Sequence, residues 1–424
     1  MNMLEPKYVR ENFKELKKDY KRRKNVSLLK ALDEFLKLDE GVRKLKVEID
    51  VLRRKRNEYS QKVNKLRKER KSFDSVLEKV KSVPEKIRKK ELDFEEKKKK
   101  LGLIHSKLPN PVHDKVKFGK SDKDNVELKK WGKIPKFNFE VKNHIELLEN
   151  LGLVDFDVSA TISGNGFYVL KGDLALLNQA LLQYAIDFMS KRKYVYIEPP
   201  LMIRKDILFA ALDQGEFDNS IYSIENDDLC MIGTSEHPIL GMHTKEIFNE
   251  GDLPKKYFSY TMCFRKEIGS HGINEKGLWR THQFNKVEQF IFCDPLKSWE
   301  MFDELLKNTE DFFQSLEIPY RLVDSCTGDL SVWKARMIDL EAYRPTTKEY
   351  GELTSLSNCL SFQAQSLGIK VRNGKDKELV HTLNNTCVAT SRALVAIVEN
   401  YQQKDGSIKV PKKLVKYLGK KVIK

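Results

Sequence analysis

Apolar side chains recur at every seventh position in the first hundred residues. Two series follow this spacing, namely Leu38, Leu45, Leu52, Tyr59 and Leu66, and then Val80, Ile87, Phe94 and Leu101. Such a repeat is the seam of a coiled coil. It predicts one helix over residues 28–70 and a second helix that folds back antiparallel to it. We expect the break between them in the segment KSFDSVLEKVKSVPEK, residues 71–86, where Ser82 and Glu85 around Pro84 have the spacing of a capping box.

The pattern changes after a segment, 108–125, that is rich in Pro, Gly and Asp and predicts a linker. Residues 141–190 are predicted to be helical, with a short strand pair near 166–173. From residue 194 onward, alternating apolar runs predict strands that are separated irregularly by helices, which favours a mixed, mainly antiparallel sheet with flanking helices. The expected fold class is therefore α+β, with a helical domain over 1–115 and a second domain over 116–424.

Charge separates the same two parts. The chain of 424 residues has a net charge of +16, and residues 1–110 hold the whole surplus, with 35 basic and 19 acidic side chains. A block of this kind is typical of proteins that bind nucleic acid or an acidic membrane. A solvated helical surface and a dimerising coiled coil are the alternatives. The outward basic positions are Arg53, Arg54, Lys55, Lys62, Arg67, Lys68, Lys86, Arg88, Lys89 and Lys90.

Several classes of protein are disfavoured by the sequence. No apolar run approaches the roughly 18–20 residues that span a bilayer, and the first residues lack the apolar core of a signal peptide, which predicts a cytoplasmic protein. The six cysteines form no CxxC pair, so neither a zinc ribbon nor a disulfide framework is expected. Neither common glycine-rich phosphate-binding loop is present.

The stretch 263–290 concentrates charged and aromatic side chains. On the first strand, Cys263, Arg265 and Glu267 share one face by strand alternation. On the return strand, one face holds Phe284, Lys286 and Glu288. We expect the loop 268–280 to fold back between the two strands, so that these side chains converge on one site.

A ligand would explain this mixture of side chains. A guanidinium grips carboxylate or phosphate oxygens, an acidic side chain accepts hydrogen bonds from an amine, and an aromatic ring stacks on a purine. Arg280 adds a second cation in the loop. The stretch therefore predicts a site for a nucleoside triphosphate together with a molecule that carries an ammonium group.

Three further stretches fit this picture. They supply Thr234 and Glu236 from residues 233–239, Glu352 and Ser355 from residues 351–358, and Asn384, Thr386 and Arg392 from residues 383–400. An acid and a hydroxyl offer the oxygen ligands that Mg²⁺ prefers. Taken singly, each stretch is more often turn or helix-cap chemistry.

Together these segments resemble the class II aminoacyl-tRNA synthetases, and among them the ordinary, non-zinc seryl-tRNA synthetases. LDEGVRKLKVEIDVLRRKRNEYS resembles that family's tRNA-binding arm, and IEPPLMI resembles motif 1 of the class. CFRKEIGS with GLWRTHQFNKVEQF is similar to motif 2, and TLNNTCVATSRALVAIVENYQ to motif 3. The resemblance covers nearly the whole chain and implies a class II catalytic core in the second domain.

The resemblance implies that L-serine is activated with ATP to seryl-adenylate and passed to tRNA(Ser), and it leaves open whether tRNA(Sec) is also charged. It implies catalytic roles for Arg265 and Arg392. The serine-binding residues would be Thr234, Ser235, Glu236, Arg265, Glu288, Asn384 and Thr386. The ATP-binding residues would be Arg265, Lys266, Glu267, Arg280, Thr281, Phe284, Glu352, Leu353, Thr354, Ser355 and Arg392. It also implies Mg²⁺ on Glu352 and Ser355, no zinc, tRNA binding by the basic arm, and a homodimer.

Finer roles also follow from the resemblance. Arg265 would bridge the serine carboxylate and the α-phosphate, and Arg280 would meet the γ-phosphate. Glu267 would hold the adenine side of ATP, and Phe284 and Arg392 would stack on opposite faces of the adenine.

The chain departs from the family pattern at a few positions. Cys387 and Ser391 stand where many members have glycine, and Gln365 stands where arginine is common. Two alternatives stay open on the sequence alone: a relative that activates another small amino acid, and a catalytically inactive paralogue that binds RNA.

Overall fold

The computed structural model describes Leu4 and residues 6–212, 214–268 and 276–424. The chain divides into two compact units, Met1–Pro111 and Val112–Lys424. None of the described helices combines the length and the apolar character that crossing a bilayer requires.

The first unit consists of helices. They are α1 (Pro6–Glu11), α2 (Phe13–Arg22), α3 (Val26–Lys68) and α4 (Asp74–His105). Asn25 caps α3, because its side chain accepts hydrogen bonds from the N–H groups of Ser27 and Leu28. Helices α3 and α4 pack antiparallel: Phe35 lies 4.9 Å from His105 between ring centroids, and Glu48 pairs with Lys90. The predicted helical hairpin is confirmed.

The predicted helix start at the Ser82 capping box is wrong. Helix α4 runs through Pro84, and the turn lies instead at residues 69–73, where Arg70 adopts a left-handed φ of 50°. Ser82 caps nothing, since its hydroxyl donates to the carbonyl of Lys79 in the preceding turn. A proline inside a helix costs about 3 kcal/mol. Val83 and Ile87 are both buried, and burial of an aliphatic side chain contributes about 1.5–3 kcal/mol, which offsets that cost.

The second unit combines helices with sheets. Its helices are α5 (His144–Asn150), α6 (Phe156–Ser163), α7 (Gly172–Ser190), α8 (Lys205–Leu208), α9 (Gln214–Ser220), α10 (Glu236–Gly241), α11 (Ser298–Ser315), α12 (Phe362–Leu367), α13 (Thr390–Tyr401) and α14 (Val415–Leu418). Its longer strands belong to one sheet, whereas the remaining strands form two- and three-stranded sheets.

The strands follow the chain in this order: β1 (Val126–Trp131), β2 (Val154–Asp155), β3 (Val169–Leu170), β4 (Val195–Tyr196), β5 (Met202–Arg204), β6 (Leu229–Met231), β7 (Ile247–Phe248), β8 (Lys255–Phe264), β9 (Gln283–Cys293), β10 (Tyr320–Asp324), β11 (Arg336–Arg344), β12 (Glu349–Asn358), β13 (Lys370–Asn373), β14 (Asp376–Leu379), β15 (His381–Ala389), β16 (Ile408–Lys409) and β17 (Val422–Ile423).

Eight strands form the main sheet, in the order β1-β10-β11-β12-β15-β9-β8-β4. Only the short edge pair of β4 and β8 is parallel among these neighbours. Helices α7, α11 and α13 pack against the sheet and build the core. Strand β9 is buried at nearly every position because it is covered on both faces. The predicted α+β class with a mainly antiparallel sheet is confirmed.

A buried ionic cluster fixes helix α13. The Glu399 carboxylate accepts from His144 Nδ1 at 3.1 Å, from Arg344 at 3.0 Å and from the Thr346 hydroxyl at 3.0 Å. Burial opposes the charge on Glu399, but the bonds from His144 and Arg344 prevail and lower its pKa. Nε2 of His144 accepts from the N–H of Leu278 at 3.1 Å. The cluster therefore fixes the backbone at Leu278, which directly precedes residues that line the cavity described next.

Candidate active site

A cavity of about 690 Å³ lies in the second unit, at the ends of β8 and β9 and along β11, β12 and β15. Most of the residues predicted to bind serine or ATP line it. Ser235, Lys266 and Thr354 do not. Ser235 and Thr354 are buried away from the cavity. Most of the residues predicted for the site therefore lie around one cavity, and three of them lie outside its lining.

Arg265 and Glu267 line the cavity, but the predicted reason is wrong. Strand β8 ends at Phe264, so neither residue belongs to it. After Arg265 the chain turns away from β9, because the N–H of Lys266 donates to the carbonyl of Ser220 at 2.9 Å. Glu267 then adopts a left-handed φ of 53°, which is uncommon outside glycine and incompatible with a strand. Of the loop predicted over 268–280, residues 269–275 lie outside the described part of the chain.

Strand β9 presents Phe284, Lys286 and Glu288 to the cavity, as alternation predicted. Glu288 has two protein partners there. Lys286 Nζ lies 2.6 Å from its carboxylate, and the Thr386 hydroxyl donates to it at 3.1 Å. The side chains of Lys286 and Glu288 are both almost fully buried. This pairing fixes the carboxylate in the wall of the cavity.

Two bulges control which side chains reach the cavity. On β12, Thr354 pairs with Leu340 and Glu352 pairs with Glu341, so Leu353 is an extra residue. Residues three apart on a regular strand face opposite sides, but this insertion brings Glu352 and Ser355 to the same side. On β15, the extra residue is Cys387.

The substitution of family glycines at Cys387 and Ser391 leaves the backbone unstrained. Neither residue adopts a positive φ, so neither position requires glycine for its conformation. Cys387 is buried completely in the core of the unit, and Ser391 lies at the first turn of α13.

Two residues that the sequence analysis missed, Gln363 and Thr382, help the predicted Asn384 to hold the Glu236 carboxylate. Gln363 Nε2 donates to Glu236 Oε1 at 2.5 Å, and Asn384 Nδ2 donates to the same atom at 3.1 Å. The Thr382 hydroxyl donates to Gln363 Oε1 at 2.6 Å, which orients the amide toward Glu236. Burial raises the pKa of Glu236 to about 7, and the charge of Glu288 acts in the same direction.

One of these missed residues carried a signal in the sequence. Thr382 shares a face with Asn384 and Thr386 by strand alternation. Gln363 carried none, because it lies on α12 and reaches Glu236 only through the tertiary fold. Lys286 was noted on the correct face but was given no role.

Arginines occupy the other end of the cavity. Arg265 Nε donates to the carbonyl of Gly233 at 3.0 Å, and its guanidinium lies 5.4 Å from the Phe284 ring centroid. Arg280 pairs with Glu267 at 2.7 Å. Arg392 pairs with the Glu352 carboxylate at 3.1 Å, and this proximity lowers the pKa of Glu352.

The arrangement suits a molecule with an ammonium and a hydroxyl at one end, and a polyphosphate at the other. Carboxylates, an amide and a hydroxyl converge at Glu236 and Glu288, whereas guanidinium groups and an aromatic ring converge at Arg265. Nine carboxylate side chains line the cavity against five lysines and arginines. A polyphosphate therefore needs accompanying cations to enter. The Ser355 hydroxyl lies in the cavity wall with the carboxylates of Glu352 and Asp339, and oxygen groups of this kind suit a metal ligand.

The first unit carries the predicted basic surface. Nine of the ten predicted side chains are exposed, and Lys90 is half-buried. Arg53 pairs with Glu91 at 2.7 Å and Lys90 pairs with Glu48, so these two charges are partly neutralised. The other eight make no ion pair with the described residues.

Comparisons with known proteins agree with this division. Residues 3–112 match the family model of the seryl-tRNA synthetase N-terminal domain, and residues 219–401 match that of the tRNA synthetase class II core domain (G, H, P, S and T). A serine–tRNA ligase from Methanocella arvoryzae is 42% identical over 98% of this chain and 99% of its own length. Both ends of the chain are therefore included in the similarity.

Two solved structures are similar over nearly the full length. The seryl-tRNA synthetase from Pyrococcus horikoshii, complexed with ATP, superposes with a TM-score of 0.93 at 39% identity and covers 99% of each chain. The cytoplasmic serine–tRNA ligase from Naegleria fowleri, in complex with AMP, has a TM-score of 0.88 at 31% identity, over 99% of this chain and 96% of that one.

Proposed function

The chain belongs to the serine–tRNA ligase family, and from this premise we propose how its residues divide the reaction. The activity is the ATP-dependent ligation of L-serine to tRNA, through seryl-adenylate, with AMP and diphosphate as the other products. The observation that carries the assignment of roles is the convergence of an acidic, hydroxyl-bearing corner and an arginine-rich end in one cavity.

Serine binds at the acidic corner. Its ammonium pairs with Glu236, and its hydroxyl lies near Glu288, Asn384 and Thr386. The buried bonds from Gln363 and Lys286 support this role, because they hold both carboxylates in place before the substrate arrives. A corner that hydrogen-bonds the hydroxyl discriminates against alanine, since alanine would leave buried polar groups without partners.

ATP binds at the arginine-rich end. Arg265 contacts the α-phosphate and the serine carboxylate, Arg280 contacts the γ-phosphate, and Phe284 and Arg392 hold the adenine. Glu352 and Ser355 would hold Mg²⁺, which would supply positive charge to the phosphate oxygens. The serine carboxylate attacks the α-phosphorus in line and pyrophosphate leaves, so the fixed guanidinium groups stabilise charge that develops on oxygen.

The basic surface of the first unit binds the tRNA backbone. The eight exposed and unpaired side chains on α3 and α4 support this role, because unpaired surface cations are the groups that neutralise phosphates. A homodimer, formed through the residues that resemble motif 1, completes the proposal.

The experiment that tests the function is ATP–pyrophosphate exchange with the purified protein, with serine, threonine, alanine or glycine as the amino acid. We expect exchange with serine alone. Exchange with another amino acid would overturn the substrate, and exchange with none would favour a paralogue that binds RNA without catalysis. Addition of EDTA should stop the exchange, and Mg²⁺ should restore it.

A further inference from the structure

The lysines and arginines of the cavity are not equally engaged by the protein. Four of them are held by protein oxygens: Arg265 by Gly233, Arg280 by Glu267, Lys286 by Glu288 and Arg392 by Glu352. The fifth, Lys334, lies just before β11 and has no carboxylate within 4 Å among the described residues. The sequence analysis gave it no role.

The ammonium of Lys334 has only weak partners. Its Nζ donates to the sulfur of Met337 at 3.0 Å and lies 4.8 Å from the Trp333 ring centroid. An ammonium has three donors and a thioether is a weak acceptor, so most of its capacity to donate is left for a ligand. A half-buried cation without an anionic partner is costly unless a ligand supplies the negative charge.

The backbone that carries Lys334 is fixed. The N–H of Lys334 donates to the carbonyl of Ser331 at 3.1 Å, and the N–H of Ala335 donates to the carbonyl of Asn358 at 2.8 Å. Trp333 is buried, and its ring stacks on Phe362. The unpaired ammonium is therefore held on a rigid support, as catalytic cations generally are.

The sheet places Lys334 between the two ends of the cavity. It directly precedes β11, where Asp339 pairs with Ser355 in the wall beside Glu352. On the other side, the N–H of Ala335 bonds to Asn358, which pairs with Leu383 next to Asn384 in the serine corner.

The charge of Lys334 opposes the rise in pKa that burial causes at Glu236, in the serine corner. It also opposes the rise that burial causes at Asp339, and it adds to the lowering that Arg392 causes at Glu352, in the metal-binding wall. The ammonium is thus within electrostatic reach of both ends, where the serine carboxylate would meet the α-phosphate.

We propose that Lys334 is a further catalytic residue of the activation step, and that its ammonium binds a non-bridging oxygen of the α-phosphate. This inference rests on the proposed function. A bond forms between a serine carboxylate oxygen and the α-phosphorus, and the bond from the α-phosphorus to the bridging oxygen breaks. That electron pair leaves with pyrophosphate. Lys334 transfers no proton in this step, and its ammonium stabilises the charge on the α-phosphate in the transition state.

The test compares Lys334→Met, Lys334→Arg and a control, Lys297→Met, which removes an exposed lysine outside the cavity. The measurement is serine-dependent ATP–pyrophosphate exchange, with kcat and both KM values determined separately. Loss of one fixed charge at a reacting oxygen typically costs about 10²-fold in kcat. We expect about that loss for Lys334→Met, KM values within about twofold, and partial retention for Lys334→Arg.

The outcomes separate this inference from the proposed function. Absence of exchange in the wild type would overturn both. Exchange by the wild type with an unchanged kcat in Lys334→Met would overturn the role of Lys334 alone. A rise in the KM for serine or ATP without a fall in kcat would show binding and would also overturn it. Thermal unfolding of all three variants, together with Lys334→Gln as a second neutral variant, distinguishes a lost charge from a folding defect.

Discussion

In the first unit, lysines and arginines stand on the surface of α3 and α4, and most of these make no ion pair with another described residue. In the second unit, the basic residues that line the cavity are nearly all held by a carboxylate or a carbonyl. Residues 1–110 carry a surplus of 16 positive charges, whereas residues 111–424 hold 43 charges of each sign. The first arrangement attracts any polyanion over a distance, and the second fixes the few atoms that meet a reacting group. The difference teaches that net charge indicates a surface suited to a polyanion but says nothing about a catalytic site.

Removal of one fixed cation should separate the two units most sharply. We expect Arg265→Ala to lower serine-dependent exchange by at least about 10³-fold, because it removes a preorganised charge at the reacting phosphate. tRNA binding should stay within about twofold, since the first unit is unchanged. Exchange assays and filter binding measure the two properties on the same preparation. As a control, Arg372→Ala removes an exposed arginine of β13 and should alter neither; near-normal exchange in Arg265→Ala would refute its role.

The second unit should also depend on its buried ions for stability. Glu399→Gln leaves the partly buried Arg344 without its anionic partner, and loss of one partner of a buried pair costs about 3–5 kcal/mol. Urea denaturation measures this cost as a lower free energy of unfolding. Glu127→Gln removes a carboxylate from an exposed pair with Lys130 and should cost less than about 1 kcal/mol. Equal losses in the two variants would contradict the contrast between buried and exposed charges.

Neutralisation of the helical surface should affect binding but not activation. Replacing Lys86, Arg88 and Lys89 by glutamine should weaken tRNA binding by about tenfold or more, and should lower the slope of log affinity against log salt by about 2 to 3. Further replacement of Lys90 should add little, because Lys90 pairs with Glu48.

The matched control for this surface replaces three exposed lysines of the second unit, Lys409, Lys412 and Lys413. An unchanged salt slope in the helical variant, or an equal change in the control, would mean that the helical surface is not the contact. Exchange with serine should stay normal in both proteins.

The smallest predicted effect concerns pH. Burial raises the pKa of Glu236 to about 7, and serine's ammonium requires the ionised carboxylate. The carboxylate is protonated below this value, so the KM for serine should rise by about fourfold at pH 6.5 and approach tenfold per unit below that. The KM for ATP should not follow. Gln363→Met removes a bond to the ionised form and should move the inflection to higher pH; an inflection near pH 4.5 in the wild type would contradict the assignment.

The sequence predicted most reliably where one local rule acted alone. The heptad positions define α3 and α4, because their apolar stripes have only each other to pack against within the hairpin. The rule failed at Pro84, where a local preference against helix was outweighed by the burial of Val83 and Ile87. The boundary of a helix thus depends on both the local helix preference and the energy of tertiary packing, and only the local preference can be seen in a sequence.

Most of the predicted site residues line one cavity, but the reasons for which they were predicted were partly wrong. Phe284, Lys286 and Glu288 followed from alternation on a regular strand. Arg265 and Glu267 reach the cavity although they lie beyond the end of β8, and Gln363 reaches Glu236 from a helix far away in the sequence. The resemblance to a family identified site residues that strand alternation could not, because family motifs reflect which residues meet in the folded protein. It does not explain why they meet.

The two bulges, at Leu353 and Cys387, have a consequence for anyone who transplants or edits this site. Each bulge inserts one extra residue, which reverses the alternation of side chains along its strand. Residues before and after the bulge therefore follow opposite alternation, yet side chains from both stretches face the cavity. Deletion of either residue would turn every later side chain of that strand to the opposite face of the sheet, although the order of the remaining side chains would not change. A graft that copies the side chains onto a strand without a bulge would keep the residue types of this site but would not bring them to the same face.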